Sequence, residues 1–451
     1  MSLRKVEKFF LGATLFSMPL GTGAFFDGVM SADLVLIVDI WMTCLYLVWI
    51  YRTNLFSTIR FRMGGLAVFG LLMVVWSIFS MSSAIALHAS GVGIYFALKS
   101  FFLYLYLVNN IRTKSDLMFV VNMVLLSLLV QGVIGTMQKV MGRTLGLGFL
   151  GERQISMHKI DSRARGTLAY PNRYGAVLIL LLPLAISMAM FVKRSLYKLL
   201  LIAISGFGIM ALFLSLSRSS WAGFLISMVI FVILLFRRGK LKPKFFVSIG
   251  AVMIAAAIIA AANWDTIMYR FEHGADGRFR SRMIDIAIPI IKSHPFLGVG
   301  LNNYQWHSFD DFNFWHPVHN EFLRFAAELG IPGAILFTAL LLVFLREAYR
   351  NSLVKDSFIN AVAIGVFCGL ISFIVAINIG PEYQHYRIKL VFWALAGITF
   401  SLRRIKILEL KMAKRKKQMM EQRGMMREPI PNVARAPNGQ IASPEHGMRR
   451  T

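Results

Sequence analysis

Long, uninterrupted apolar runs are the feature of this sequence that most restricts its fold. A helix needs about 20 mostly apolar residues to cross a bilayer. In lipid the backbone must satisfy its own hydrogen bonds, and these runs lack the alternation of a β-barrel. The sequence therefore predicts an all-α integral membrane protein with about 12 transmembrane helices. The predicted spans are residues 9–26, 33–51, 64–82, 91–109, 117–139, 173–192, 197–216, 220–236, 245–262, 331–345, 358–378 and 388–402.

The composition excludes several other classes of protein. Hydrophobic residues make up 57% of the 451-residue chain and charged residues only 16%, against about 25% charged in a typical soluble protein. This excludes a disordered chain and a disulfide scaffold and argues against a soluble enzyme. The two cysteines, Cys44 and Cys368, lie in apolar runs and are interpreted as small core residues.

The positive charge predicts the orientation of the chain. The formal net charge is +27, which in a soluble protein would suggest nucleic acid as a partner. Here alternate connections collect Lys and Arg, whereas the connections at 27–32 and 83–90 contain none. By the positive-inside rule, both termini are expected in the cytoplasm, and no nucleic-acid partner is needed. The basic start of the chain resembles a signal peptide, but we interpret it as an uncleaved first helix.

The chain is expected to have two parts. Residues 1–402 are expected to form the membrane domain, which includes two loops on the outer side of the membrane, at 142–171 and 263–330. Residues 403–451 form a tail that carries 13 Lys and Arg against 4 Glu. The start of this tail is suited to lie on anionic lipid, and the remainder is predicted to be disordered.

The loop at 263–330 is predicted to contain two helices. Residues 280–292 place Ile284, Ile288 and Ile291 on one face, which is typical of a helix at a membrane surface. A second helix is predicted from His319 to Leu329, with Gly330 as its stop. Aromatic residues just before His316 are suited to anchor the loop at the lipid interface or to stack on sugar rings.

Several polar residues have both a functional and a structural interpretation. Arg218 lies between two apolar runs, where a charge is costly unless it has a partner, so it is either functional or structurally paired. His319 is suited to act as a base or to serve as a loop hydrogen-bonding residue. Asn172 follows Pro171 and is best interpreted as a helix N-cap. Glu328 either orients a neighbour or lies on a solvated helix face, and Asp310-Asp311 lacks the further ligands of a metal site.

Four segments together resemble the bacterial O-antigen ligase and polysaccharide polymerase superfamily. His319-Asn320, nine residues, Gly330, two residues and Gly333 match its loop signature. The same resemblance is carried by Pro295-Phe296-Leu297-Gly298-Val299-Gly300, by Thr167 through Pro171-Asn172, and by Ser217-Arg218-Ser219. One departure concerns the loop arginine, because the tryptophan expected four residues after it is Ile284. The arginine position is then Arg280, with Arg278 and Arg282 flanking it.

The resemblance implies a fold related to the C-type membrane glycosyltransferases and a defined activity. Such proteins transfer a glycan from undecaprenyl diphosphate to an acceptor hydroxyl at the outer face of the inner membrane. The acceptor is the lipid A core in a ligase and a growing glycan in a polymerase. No metal or other cofactor is expected.

The implied roles suit the residue types. A lipid diphosphate leaving group needs charge stabilisation, which arginine supplies, and the acceptor hydroxyl needs a base, which histidine supplies. His319 is then the base. The implied diphosphate ligands are Arg218, Arg280 or Arg282, and Arg165, and the supporting or acceptor-binding residues are His316, Asn320 and Asn172.

Two alternatives to a ligase are distinguishable. A polymerase of the same superfamily would build product ladders without lipid A. A transporter of lipid-linked glycans would place charges at mid-membrane. In this sequence the ionisable residues gather at the predicted outer edge, with Lys99 and the 382–387 loop as exceptions.

Overall fold

A computed structural model of the chain describes residues 2–21, 37–53, 63–152, 163–193, 195–237 and 277–425, and positions 261, 264 and 268. Over these ranges the chain forms helices and no strand. The all-α prediction is therefore confirmed. The helices are α1 (Leu3–Ser17), α2 (Ile37–Thr53), α3 (Gly65–Ser80), α4 (Leu87–Asn110), α5 (Lys114–Met141), α6 (Pro171–Phe191), α7 (Ser195–Leu214), α8 (Arg218–Phe236), α9 (Gly277–Ser293), α10 (Tyr304–Phe312), α11 (Glu321–Ser352), α12 (Ser357–Ile377) and α13 (Tyr386–Met425).

Eight of the described helices are long and apolar enough to cross a membrane, namely α3 to α8, α11 and α12. The predicted spans 33–51 and 388–402 fall largely on α2 and α13, and the first half of the predicted span 9–26 falls on α1. These three helices are not among those eight. The predicted span 245–262 lies almost wholly outside the described residues. The chain is thus a multi-pass membrane protein, and the total of twelve spans stays a prediction.

The centre of the bundle is the contact between α6 and α12, the two most buried spans. Gly365 and Gly369, one helical turn apart on α12, face the backbone of Leu184 and Leu180 on α6. A side chain at either glycine would overlap that backbone. Small residues at this spacing let two helices approach closely, which is how membrane helices gain packing energy.

A buried ion pair joins α2 to α4. Lys99 on α4 is paired with Asp39 on α2, and its ammonium group lies 5.3 Å from the ring centre of Phe96 and 5.7 Å from that of Tyr386. A charge buried between spans persists only when it is paired, so Asp39 accounts structurally for the exception that Lys99 makes in the sequence.

A second, smaller core lies beside the bundle. It is built from α9, α10, the first part of α11 and the connections between them, and its buried residues are Met283, Ile286, Ala287, Ile290, Val299, Tyr304, Phe314, Val318 and Ala327. This core holds the 277–330 segment as a packed substructure, and the candidate functional residues lie on it and beside it.

Contacts divide the chain into two units, Met1–Ile405 and Lys406–Thr451. The described part of the second unit is helical up to Met425, and residues 426–451 lie outside the described part. The predicted membrane domain 1–402 and the disordered end of the tail stay predictions.

Candidate functional site

Asn320 fixes the start of α11, one residue after His319. Its side-chain oxygen accepts hydrogen bonds from the backbone N–H groups of Phe322 (2.9 Å) and Leu323 (3.0 Å). Its amide nitrogen donates to the carbonyl oxygen of Asn378, just after α12 (3.2 Å). Asn320 is therefore a helix N-cap that also ties the His319 turn to the end of α12. His319 itself is half-buried.

Gly330 interrupts α11, as the sequence predicted for a helix stop at this position. Its φ of 71° and ψ of 178° belong to a backbone region that is essentially open only to glycine. A Cβ atom here would overlap the carbonyl oxygen of Phe296. The break separates a short helix that follows His319 from the membrane-crossing remainder of α11.

The Pro295–Gly300 motif forms hydrogen bonds with the backbone groups on both sides of the break at Gly330. Val299 and Gly300 donate their N–H groups to the carbonyl oxygens of Ala327 and Glu328 (2.9 Å each), and Ile331 donates to Pro295 (2.8 Å). Backbone hydrogen bonds thus connect the Pro295–Gly300 motif to residues 327–331 of the His319–Gly333 motif, and this connection is here named the Gly330 joint.

Helix α3 completes this joint. Trp76 donates its indole N–H to the carbonyl oxygen of Leu329, and Ser80 donates its hydroxyl to that of Glu328, both at 2.8 Å. Buried carbonyl groups need such donors, so the short helix after His319 is held by both α3 and the Pro295–Gly300 motif.

Behind the joint lies a buried charged quartet of Glu321, Arg324, Glu328 and Lys389. Arg324 is paired with Glu321 (2.6 Å) and with Glu328 (2.5 Å), and all three side chains are at most 1% exposed. Lys389 on α13 is buried and interacts electrostatically with the other three. Glu328 is buried and therefore does not lie on a solvated helix face. Its carboxylate is compensated inside the protein by Arg324.

The 382–384 turn is attached to the start of α11 and carries a buried carboxyl group. Gln384 donates its backbone N–H to Glu321 (2.8 Å). Burial raises the pKa of Glu382 to about 7; Arg173 and Arg163 oppose the rise and Glu321 adds to it. Glu382 is therefore a buried carboxyl group with a pKa near neutral that interacts electrostatically with two arginines.

Arginines gather where α6 begins. Arg163 donates to the side chain of Asn172 (2.9 Å) and to the carbonyl oxygens of Ser215 (2.9 Å) and Leu216 (3.2 Å). This ties the start of α6 to the turn that precedes Arg218, the first residue of α8. Asn172 is the second residue of α6, after Tyr170 at the N-cap position, so the predicted N-cap role is wrong. Its oxygen binds Arg163 instead.

Two glutamines of α5 hold the Arg165–Thr167 segment. Gln138 accepts hydrogen bonds from the backbone N–H groups of Arg165 (3.1 Å) and Gly166 (2.9 Å). Gln131 accepts from Thr167 N–H (3.2 Å) and donates to its hydroxyl (2.7 Å). The Nε of Arg165 is buried and has no hydrogen-bond partner among the described residues.

Arg387 is fixed beside this segment. It donates to the carbonyl oxygen of Thr167 (2.6 Å) and to the hydroxyl of Tyr386 (2.7 Å). Gly21 and Gly151 pack directly against its guanidinium group. Arg173, on the first turn of α6, stacks on Tyr170 at 4.4 Å and interacts electrostatically with Glu382 and Arg387.

Arg282 and His316 meet at a different place, around Phe314. Arg282 lies 5.2 Å from the Phe314 ring centre, and the rings of His316 and Phe314 are 5.0 Å apart. The side chains of Arg278 and Arg280 lie outside the described residues. The role implied for the loop arginines stays a prediction.

The predicted apolar face of α9 is not the face that packs on the protein. Met283, Ile286, Ala287 and Ile290 are buried, whereas Ile284 and Ile288 are about two-fifths exposed. The helix has two neighbouring apolar stripes, and the stripe that includes Ala287 faces the small core. The exposed stripe, which includes Ile284 and Ile288, is apolar, as expected of a helix that lies at a membrane surface.

The structure thus joins Asn320 and Glu321, the two residues after His319, to the 378–384 segment, and Arg163 to the turn before Arg218. Besides Glu328, whose role beside a neighbouring charge the sequence analysis considered, the site contains residues that it did not assign: Arg173, Arg387, Glu382, Glu321, Arg324 and Lys389. Their signal was a set of ionisable residues at the ends of apolar runs, which are costly to bury without partners. Within the described ranges no three His, Cys, Asp or Glu side chains are grouped to hold a metal.

Over the described residues the chain is all-helical and has eight helices long and apolar enough to cross a membrane. Two glycine-containing motifs form a joint beside the buried Arg324. These features define a polytopic membrane protein with buried polar side chains. Residues 203–338 match the family model Wzy_C, described as O-antigen ligase. This segment contains Arg218, the Pro295–Gly300 motif and the His319–Gly333 signature, so the family resemblance is confirmed. A comparison with curated proteins found no match to this chain.

Proposed function

We propose that this protein is an inverting glycosyltransferase of the bacterial inner membrane. It moves a glycan from undecaprenyl diphosphate to an acceptor hydroxyl at the periplasmic face, and the acceptor is the lipid A core. The observation that carries this proposal is the joint between the Pro295–Gly300 and His319–Gly333 motifs. It lies inside the segment that matches the O-antigen ligase model, and His319 lies directly before the N-cap of the helix that this joint holds.

In the proposed reaction His319 accepts the proton of the acceptor hydroxyl. The hydroxyl oxygen forms a bond to the anomeric carbon as the bond from that carbon to the diphosphate oxygen breaks. The diphosphate departs with the bonding electrons, and attack from the opposite side inverts the anomeric centre. Histidine is the side chain that most often serves as a general base in enzymes.

Arginine supplies the charge stabilisation in this proposal. Arg218, with Arg280 or Arg282, binds the diphosphate, and Arg165 assists with its buried Nε. Guanidinium groups form bidentate contacts to phosphate oxygens and stabilise the charge that grows on the leaving group. His316 and Asn172 help to bind the acceptor. Asn320 caps α11 and so positions His319, the residue directly before it.

Purified protein in liposomes, with an undecaprenyl-diphosphate-linked glycan, tests this function. Product sizes are compared with and without lipid A core. A single shift that requires lipid A core supports the ligase, whereas a product ladder without it identifies a polymerase. Absence of transfer, where a related enzyme is active, would favour the transporter hypothesis.

His319→Gln tests the base, with His88→Gln as the matched control. His88 is an exposed histidine at the start of α4 that stacks edge-on to Trp306 (5.7 Å). Loss of a general base is expected to lower transfer about 100- to 10,000-fold, and the control variant is expected to retain it. Full activity in a folded His319→Gln protein would reject His319 as the base.

A further inference from the structure

Helices α1 and α5 lie side by side and run in the same direction. Arg4 of α1 is paired with Asp116 of α5 (3.8 Å), and two turns further along a Cβ atom at Gly12 would meet Phe119 and Met123. Contacts thus advance along both helices in the same order, so the two helices begin on the same side. The positive-inside rule predicts that this side is cytoplasmic.

An apolar groove of about 420 Å³ follows the line between these helices, and it is here named the α1–α5 groove. Its apolar lining includes Gly12, Ala13 and Phe16 of α1 and Phe119 and Met123 of α5. Gly12 is buried, and a Cβ atom there would lie 3.0 Å from the Phe119 ring and 3.4 Å from the Met123 sulfur. The other four side chains are only half-buried, so the groove is accessible from outside the bundle.

Two lysines line the end of the groove where the helices begin. Lys5 and Lys8 are exposed, and neither forms an ion pair among the described residues. The ammonium group of Lys8 lies 4.7 Å from the ring centre of Phe119, which holds it at the edge of the apolar lining. The groove therefore combines apolar walls with two positive charges at one end.

The acidic side chains at the starts of these helices do not neutralise the two lysines. Asp116 accepts the capping hydrogen bonds of α5 and is paired with Arg4. Glu7 is buried and is paired with Arg52 of α2. The lysines are thus available to an anionic group that approaches from the membrane.

The groove has the length of one lipid leaflet. Residues 5–16 of a helix extend about 16 Å, which is about half of a hydrocarbon core about 30 Å thick. Helix α5 is one of the eight helices long and apolar enough to cross a membrane. A groove along its first part therefore suits a lipid whose head group lies at the lysines and whose acyl chain extends toward the bilayer centre.

We propose that the α1–α5 groove binds one anionic phospholipid of the cytoplasmic leaflet. Its phosphate group accepts hydrogen bonds from Lys5 and Lys8, and one acyl chain lies along Ala13, Phe16 and Met123. Basic pockets between membrane helices on the cytoplasmic side bind anionic head groups in this way. A zwitterionic lipid brings its own cation to the same place, so the lysines favour the anionic lipid. None of these residues belongs to the proposed transfer site.

Native mass spectrometry of the full-length, delipidated protein in detergent tests the site. The protein is titrated with phosphatidylglycerol or phosphatidylcholine of identical acyl chains, and the wild type is expected to prefer phosphatidylglycerol. The double variant Lys5→Gln/Lys8→Gln is expected to weaken phosphatidylglycerol binding about thirtyfold. Lys193→Gln/Lys198→Gln removes two exposed lysines from another connection that is predicted to be cytoplasmic, and this control is expected to bind like the wild type.

A second variant tests the apolar part of the groove and keeps both lysines. Ala13→Leu places a larger side chain in the space of the acyl chain, so phosphatidylglycerol binding is expected to fall about tenfold. Gly206→Leu, where a Cβ atom meets open space on α7, is the matched control. Size-exclusion profiles establish that each variant is folded.

Three results would overturn the proposal. The first is a wild type that binds both lipids equally, and the second is a folded Lys5→Gln/Lys8→Gln or Ala13→Leu protein that binds phosphatidylglycerol as tightly as the wild type. The third is a dimer without bound lipid that both variants dissociate, which would assign the groove to a second copy of the chain.

Discussion

At the scale of single residues, Gly330 has the most restricted role in the described chain. Its backbone conformation is one that other residues rarely adopt, and its missing side chain makes room for Phe296. Four backbone and side-chain donors reach the carbonyl groups of the turn before it, namely Val299, Gly300, Trp76 and Ser80. The family motif at this position is therefore explained by backbone geometry, whereas the chemistry proposed for His319 depends on its imidazole ring.

Gly330→Ala is expected to destabilise the protein and to lower activity. The backbone strain alone costs about 1–3 kcal/mol, and the overlap with Phe296 adds to it. Gly206→Ala on α7 is the control, because a Cβ atom there meets open space and alanine favours the helix by about 0.5–1 kcal/mol. Thermal unfolding in detergent measures both, and equal midpoints for the two variants would contradict this role.

Glu382 is expected to make stability depend on pH. Its pKa in the folded protein is raised from 4.5 to about 7, so its stabilising contribution is complete below pH 4.5 and is lost as pH rises through 7. The shift corresponds to about 3 kcal/mol. The groups that face it are Arg173 on α6, Arg163 before α6 and Glu321 on α11, with Tyr383 and His385 beside it in the chain.

Thermal unfolding midpoints at pH 6 and pH 8 measure this effect. The wild type is expected to lose more stability between these values than Glu382→Gln, which keeps the shape and loses the titration. An identical pH dependence in both proteins would show that Glu382 does not titrate in this range.

At the scale of helices, the contact between α6 and α12 sets the frame for the site. The first turn of α6 carries Arg173, and the end of α12 holds the hydrogen bond from Asn320. The close approach at Gly365 and Gly369 therefore fixes the distance between the two sides of the site.

Gly369→Leu is expected to disrupt this contact, because its side chain would overlap the carbonyl oxygen of Leu180. Overpacking typically costs about 1–3 kcal/mol, and a backbone overlap adds to this. Gly206→Leu, on a surface with open space, adds the same side chain without the overlap. Size-exclusion profiles and unfolding midpoints compare the two, and a well-folded Gly369→Leu protein with normal stability would refute this packing role.

Helices could be predicted from the sequence more readily than the directions they face. Apolar runs located the helices because the hydrophobic signal is local, and Gly330 was recognised as a stop. The buried face of α9 was missed because Ile284 and Met283 belong to adjacent stripes, and only the neighbouring core decides between them. Arg173 and Arg387 were missed because each is an ordinary charge at a helix start, and only tertiary contact brings them together.

At the scale of the whole molecule, the sequence predicts that the 277–330 segment faces the periplasm. The basic connections that support this orientation include Arg112, between α4 and α5. Asp310 is exposed on α10, within the 277–330 segment.

Cysteine labelling tests this orientation in a protein whose Cys44 and Cys368 are replaced by alanine. With a membrane-impermeant maleimide, Asp310→Cys is expected to react in intact spheroplasts, and Arg112→Cys only after permeabilisation. The reverse pattern would place the proposed site in the cytoplasm and exclude a periplasmic acceptor.

The Gly330 joint can form only late in the synthesis of the chain. Trp76 and Leu329 are 253 residues apart in the chain, and Ser80 and Glu328 are 248 apart. Helices insert as the chain is synthesised, N-terminal segments first. More than half of the protein is therefore synthesised after α3 before its hydrogen-bond partners on α11 are present. The polar side chains of Trp76 and Ser80 lack these partners throughout that interval. A nascent chain therefore has no assembled Gly330 joint until α11 has been synthesised.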